Sequence, residues 1–114
     1  MIKDQKDHNK VLIKTKKGAF IRPINDIMFI LAEGSYSELF FTKGDNLMMS
    51  KNLSQIRLPD ERFCRIHASV IINISFIKRV RSDHVVLTND RKFAVSQRRR
   101  KHFFELLDKV FYNL

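Results

Sequence analysis

Before Ser96 the apolar residues of this chain come in short β-prone runs broken by turn signals. After it they fall at Phe103, Leu106, Leu107, Val110, Phe111 and Leu114. The second pattern is the i, i+3, i+4 spacing of one helix face, suited to a core or to a docking partner. The chain therefore reads as a succession of short strands closed by a C-terminal amphipathic helix. At 114 residues it has room for one domain, with residues 1–9 a polar lead-in and 10–114 the folded part.

Residues 11–16 (VLIKTK) and 19–24 (AFIRPI) flank "KKG", where the glycine can take positive φ, and so suggest a hairpin. Asp26–Leu31 is nearly all apolar and is followed by the break "AEGSYS". Leu39–Thr42, closed by "KGDN", completes two strands joined by a polar loop. In "SKNLSQIRLPDERF" either Ser50 or Asn52 can cap a helix, Leu53 and Ile56 have helical spacing and Pro59 is a stop. That predicts a mid-chain helix of about two turns, too short to stand without packing on a sheet. Val70–Val80, His84–Thr88 and Lys92–Val95 are β-prone, with "RSD" and "NDR" as turns.

Charge is unevenly placed. The net charge is +2 over residues 1–61, +9 over 62–101 and −1 over 102–114. A field confined to forty residues and interleaved with strand-like apolar positions suits a polyanion, nucleic acid first. A membrane surface is not the expected partner, because the basic residues do not line one face of an amphipathic helix. Part of the excess sits oddly: with Ser96 as N-cap, Arg98, Arg99, Arg100 and Lys101 occupy the first helical turn, where the macrodipole disfavours cations. Local rules broken without local gain are commonest at functional sites, and a helix N-terminus already aims N–H groups at anions.

Little else points to chemistry. The single cysteine, Cys64, excludes an internal disulfide, reads as a packed thiol and fits a reducing, cytoplasmic setting. There is no long apolar run and no signal-peptide core at the N-terminus. His8, His67, His84 and His102 lack metal-ligand spacing, and no phosphate-cradling or nucleophile motif occurs, so neither metal nor cofactor is expected. Glu33 and His67 are the one acid/base pair a small basic nuclease could use, but their spacing does not require it. The chain is not read as an enzyme. His67 reads first as a structural residue bonded to a neighbouring turn.

The pattern Phe63-x-Arg65-Ile66-His67-x-Ser69-x-Ile71-x-Asn73, with "KNLSQIRL" before it and "AVSQRRR" after it, resembles the LytTR DNA-binding domain. That domain is the output module of many bacterial two-component response regulators. The resemblance runs from about Lys10 to Leu107, with "IMFILAEGSYSELFFT" matching the segment that opens the family's sheet. It implies a mostly β, elongated fold of short antiparallel strands in small sheets, with one short helix. It also implies binding of duplex DNA through three loops in successive major grooves, usually at paired direct repeats. A homodimer on DNA and an upstream receiver domain in a longer protein are the further partners it implies.

Carried over by position, the loops fall at Ser35, Tyr36 and Ser37, at Ala68, and at Gln97 and Arg98. Base contacts are expected from Ser37, Ala68, Gln97 and Arg98. Ala68 offers only an apolar touch, Ser37 reads bases ambiguously, and Arg98 alone can grip a guanine edge with two bonds. Phosphate contacts are expected from Ser35, Tyr36, Lys51, Lys78, Arg79, Arg81, Arg99 and Lys101. Arg65, His67, Ser69 and Asn73 are expected to brace the loops. The rival reading is a small basic β protein that binds RNA or docks protein partners through the C-terminal stripe.

Overall fold

The computed structural model describes residues 6–114, which form ten strands, short 3-10 turns and one α-helix. The strands are β1 (Lys10–Thr15), β2 (Gly18–Pro23), β3 (Ile27–Glu33), β4 (Tyr36–Phe41) and β5 (Leu47–Met49), then β6 (Phe63–His67), β7 (Val70–Asn73), β8 (Ile77–Val80), β9 (His84–Leu87) and β10 (Lys92–Ala94). The helix α1 is Arg100–Val110. They make three antiparallel sheets: the hairpin β1-β2, a five-stranded sheet ordered β5-β4-β3-β7-β6, and a three-stranded sheet β10-β9-β8. The molecule measures 43 × 36 × 26 Å, longer than it is thick. Its mostly β architecture of small sheets is the expected one.

The five-stranded sheet is covered on both faces, which explains why its central strands read as unbroken apolar runs rather than alternating ones. Met28, Phe29, Cys64, Ile66 and Ile72 pack with Val85, Leu87, Phe93, Val95, Phe103 and Leu106 from the three-stranded sheet and the helix. Ile27, Ile30, Leu39, Phe41, Leu47 and Ile71 pack on the other side with Ile13, Ile24 and Leu53. Burial pushes the Cys64 thiol up to about 11, so it is a packing group, as its sequence context suggests.

Several boundaries differ from the sequence reading. "AEGSYS" is not a loop: Ala32 and Glu33 pair with Ser37 and Tyr36, which leaves only Gly34 and Ser35 to turn, with Gly34 at φ 60°. The mid-chain helix is a single 3-10 turn, Leu53–Gln55, capped by Asn52 and not Ser50, and it ends well before Pro59. Asn52 and Gln55 form a reciprocal capping box around that turn, but only Leu53 of it is buried, and one such residue anchors no second turn. The β-prone run Val70–Val80 is split by the 3-10 turn Ile74–Phe76, which hands the chain from one sheet to another. Helix α1 stops at Val110, so Phe111 is its extended cap and Leu114 lies beyond it, exposed.

One contact ties two sheets together. The Arg91 guanidinium, in the turn before β10, lies 5.0, 5.8 and 5.2 Å from the ring centres of Phe29, Phe40 and Phe93. Phe29 and Phe40 are themselves stacked at 4.5 Å. Arg91→Ala is expected to lower stability by about 1–2 kcal/mol, through the lost cation–π contact and lost stem packing. Urea denaturation measures this, with the exposed neighbour Lys92→Ala as a control that should stay within about 0.5 kcal/mol.

Candidate nucleic-acid interface

The strand registers carry several turns to one end of the five-stranded sheet. β3 ends at the Gly34–Ser35 turn, and Ala32 N–H donates to the Ser69 carbonyl at 2.9 Å, which puts the Ala68–Ser69 turn beside it. β5 runs toward the same end, with Met49 opposite Ser37, and delivers Ser50 and Lys51 there. Ser96 N–H donates to the Ile66 carbonyl at 2.8 Å and sets the Gln97–Arg99 turn against β6. Val95 N–H donates to the Asp83 carbonyl at 2.9 Å, which brings in the β8-β9 turn that carries Arg81. Helix α1 starts at this end and leaves it, for Lys109 near its C-terminus bonds Glu61, ahead of β6, at 2.9 Å. The positive end of the helix dipole and the arginine run thus share one place.

The loop that holds Ala68 is held by side chains of its own strand and turn. Arg65 Nη2 donates to the Ala68 carbonyl at 2.7 Å. Ser69 N–H donates to His67 Nδ1 at 3.2 Å, with Ser69 Oγ 2.9 Å from the same nitrogen. A ring nitrogen that accepts an amide hydrogen carries none itself, so the neutral ring holds its proton on Nε2. His67 is therefore the turn-bonding residue of the structural reading, and it forms no pair with Glu33 among the described residues. Asn73 also braces, but elsewhere: its Nδ2 donates to the Ile27 carbonyl at 3.0 Å and its Oδ1 accepts from Ser75 N–H at 3.0 Å. Buried at the sheet-to-sheet turn, Asn73 holds the frame and not a loop of the cationic end.

Ser37 is corrected outright. It is 0% exposed, and its hydroxyl donates to the Lys51 carbonyl at 2.6 Å, so it holds β4 to the Lys51 segment and cannot touch a base from the folded state. Strand alternation turns it inward, while Ser35 in the turn is exposed and Tyr36 half-buried. Lys78 is also set apart. Its ammonium pairs with Asp90 at 2.8 Å, on the β9-β10 turn at the opposite end of the three-stranded sheet from Arg81. Arg79 lies between them on the edge strand β8, exposed.

Arg65, Arg98 and Arg99 crowd together without an acidic partner among the described residues. Partial burial first, then repulsion from Arg65 and Arg98, lowers the pKa of Arg99, which stays charged. Gln97, Arg98 and Lys101 are exposed. Two buried polar atoms here, Arg65 Nε and Ser96 Oγ, have no partner among the described residues. Ser96 is not the N-cap of α1: it caps only the 3-10 turn Gln97–Arg99, by backbone and without a hydroxyl bond. Helix α1 begins at Arg100 with Arg99 as its N-cap, so of the basic run only Arg100 and Lys101 lie in the first α-helical turn. Arg100 does local work that the sequence did not disclose: its Nε donates to the Val95 carbonyl at 3.2 Å.

Also missed were Lys16 and Lys17. The β1-β2 turn presents both beside the first loop, where Lys16 Nζ lies 5.2 Å from the centre of the Tyr36 ring and lowers the phenol's pKa by hydrogen bonding and charge. Nothing in "KKG" alone says where a hairpin turn will land.

Among the described residues no group of His, Cys, Asp and Glu could hold a metal ion, and no helix is long and apolar enough to cross a membrane. The family model for the LytTr DNA-binding domain matches residues 17–108. Among solved structures, the chain is similar to the LytTr DNA-binding domain of a Bacillus cereus protein described as a methyl-accepting/DNA response regulator. The two are 24% identical over 88% of this chain and 97% of that one, with a TM-score of 0.73. No curated protein matches the chain.

Proposed function

Because the chain belongs to the LytTR family of DNA-binding domains, a non-enzymatic family, we propose that it reads duplex DNA sequence with the cationic end of its five-stranded sheet, as the output part of a transcription regulator. The observation that carries this is the convergence of the Gly34–Ser35, Ala68–Ser69 and Gln97–Arg99 turns on one end. These are separate places in the sequence, joined by strand register and by the Ser96–Ile66 backbone bond. A rigid sheet holds them, and loops on rigid frames are the usual carriers of recognition.

The roles divide by chemistry. Arg98, exposed beside Gln97, supplies the fork that fits guanine O6 and N7, and Ala68 supplies an apolar touch such as a thymine methyl would accept. Lys51, Arg81, Arg99 and Lys101, with Ser35 and Tyr36, meet phosphates and set register. Arg65 and His67 keep their bracing roles. Paired direct repeats, a homodimer on DNA and an upstream receiver domain belong to the same proposal. The RNA reading loses ground because most phenylalanines are structural: Phe29, Phe41, Phe93 and Phe103 are buried, Phe20, Phe40, Phe63, Phe76 and Phe104 pack against the cores, and none lies in the converging turns.

Single substitutions measured on a selected site and on a random duplex test the division. Arg98→Ala should cost about 1–3 kcal/mol on the selected site and relax preference at one base position. Arg98→Lys keeps the charge and loses the planar fork, so it should bind but discriminate less. Lys51→Ala should weaken both duplexes alike and reduce the salt slope by about one unit. Lys78→Ala, with its ammonium turned to Asp90 at the far end, should change neither. If Arg98→Lys binds and discriminates like the parent, Arg98 is a phosphate clamp and the base readout assigned to it is wrong.

A further inference from the structure

We infer that the β1-β2 hairpin is a fourth DNA-contacting element, whose Lys16–Lys17 turn grips backbone phosphates flanking the bases read by the three loops. This rests on the duplex-binding reading above and extends it to a part of the fold that lies before the family model's match at Lys16 and at its very start at Lys17.

Composition is the first support. Residues 10–23 hold five basic side chains, Lys10, Lys14, Lys16, Lys17 and Arg22, and no acidic one. The second is turn chemistry. A two-residue hairpin turn favours Asn-Gly or a similar pair at its centre. Here Thr15 pairs with Gly18 and both central positions are lysine. Side-chain bonds hold the turn instead, since Thr15 Oγ1 donates to the Gly18 carbonyl at 3.0 Å and accepts from Lys17 N–H at 3.1 Å. Two like charges side by side in a turn that prefers other residues are a local conflict, of the kind that accompanies function.

Position is the third support. Lys16, Lys17, Glu33, Tyr36 and Ser50 line one crevice of about 410 Å³, so the hairpin turn stands at the same end as the first loop. Both lysines are exposed, and among the described residues neither is ion-paired, even though the Glu33 carboxylate lines the same crevice. The hairpin lies against β5, one edge of the five-stranded sheet, while the Gln97–Arg99 turn lies against β6, the other edge. Four strand spacings separate those edges, roughly 20 Å, which is about six base pairs of duplex. Lys16 and Lys17 therefore reach phosphates that Arg98 and Arg99 cannot.

The test is the double variant Lys16→Ala/Lys17→Ala on a duplex of about 30 base pairs, where affinity should fall about tenfold near 0.1 M salt and the log–log salt slope should shrink by nearly two units. Base preference should not move, and Lys16→Arg/Lys17→Arg should restore the slope. Acetylation of the parent protein gives a readout without substitution: duplex should protect Lys17 and leave Lys109, at the far end of the helix, unprotected. A binding parent with an unaffected double variant, or with Lys17 equally acetylated with and without duplex, overturns this inference alone. A parent that does not bind duplex overturns the functional reading and this inference with it.

Discussion

Phe103→Ala is expected to cost about 3–5 kcal/mol of folding stability, a large part of what a domain of this size has. Phe103 is 0% exposed and sits in the core shared by Cys64, Ile66, Leu87 and Val95. Truncation would leave a cavity walled by two sheets and the helix, which the surrounding structure relaxes only partly to fill. The comparison that matters is Phe111→Ala. Phe111 lies on the same sequence stripe but is 42% exposed just past the helix end, so its loss should stay within about 0.5 kcal/mol. Equilibrium urea denaturation of both variants checks the pair. If Phe103→Ala keeps its stability and changes self-association, the stripe is an interface and not core.

That result also bears on recognition, because the helix is the lever that holds the arginine turn. Gln97–Arg99 leads directly into α1, and Arg100 Nε is bonded back to the Val95 carbonyl. A helix undocked from β6 would free Arg98 and Arg99 together. Loss of Phe103 should thus weaken duplex binding even though the residue is nowhere near a surface.

The legible parts of the fold were those where local chemistry and packing agree. The helix from Arg100 onward was visible because Phe103, Leu106 and Leu107 keep one face and that face is covered. The hairpin was visible from Gly18, which takes φ 131° at the turn's exit. The failures share a cause, which is that partners distant in sequence decide the outcome. Ser37 looks like a loop hydroxyl until β5 pairs beside it and supplies the Lys51 carbonyl. Val70–Val80 looks like one strand until Asn73 bonds Ile27, far back in the chain, and turns the backbone into a second sheet. The expected two-turn helix at Leu53 fell short because one buried residue cannot anchor two turns.

The same reasoning sorts the site. The resemblance, anchored in contiguous motifs, points to Arg98, Ala68, Arg65 and His67, and the structure brings the loops that carry them to one end. Lys78 stands apart from them, paired with Asp90, because charge density along the sequence does not say at which end of a strand a side chain lies. Lys16 and Lys17 were overlooked for the converse reason: they lie outside the basic segment and join the site only through packing of β1 against β5. Counting by place instead of by segment, Lys16, Lys17, Lys51, Arg81, Arg98, Arg99 and Lys101 stand at or beside the converging turns.

Those seven cations make the central claim measurable. If about five to seven of them neutralise phosphates, log K for duplex DNA against log salt should fall with a slope of roughly −4.5 to −6.3, or about 500- to 6,000-fold in affinity between ~50 and ~200 mM salt. Fluorescence anisotropy of a labelled duplex across that salt range, competed with the same sequence as single strands, makes the measurement. The account predicts the steep slope and a clear preference for duplex. A slope near zero, or single strands that compete better than duplex, would contradict it.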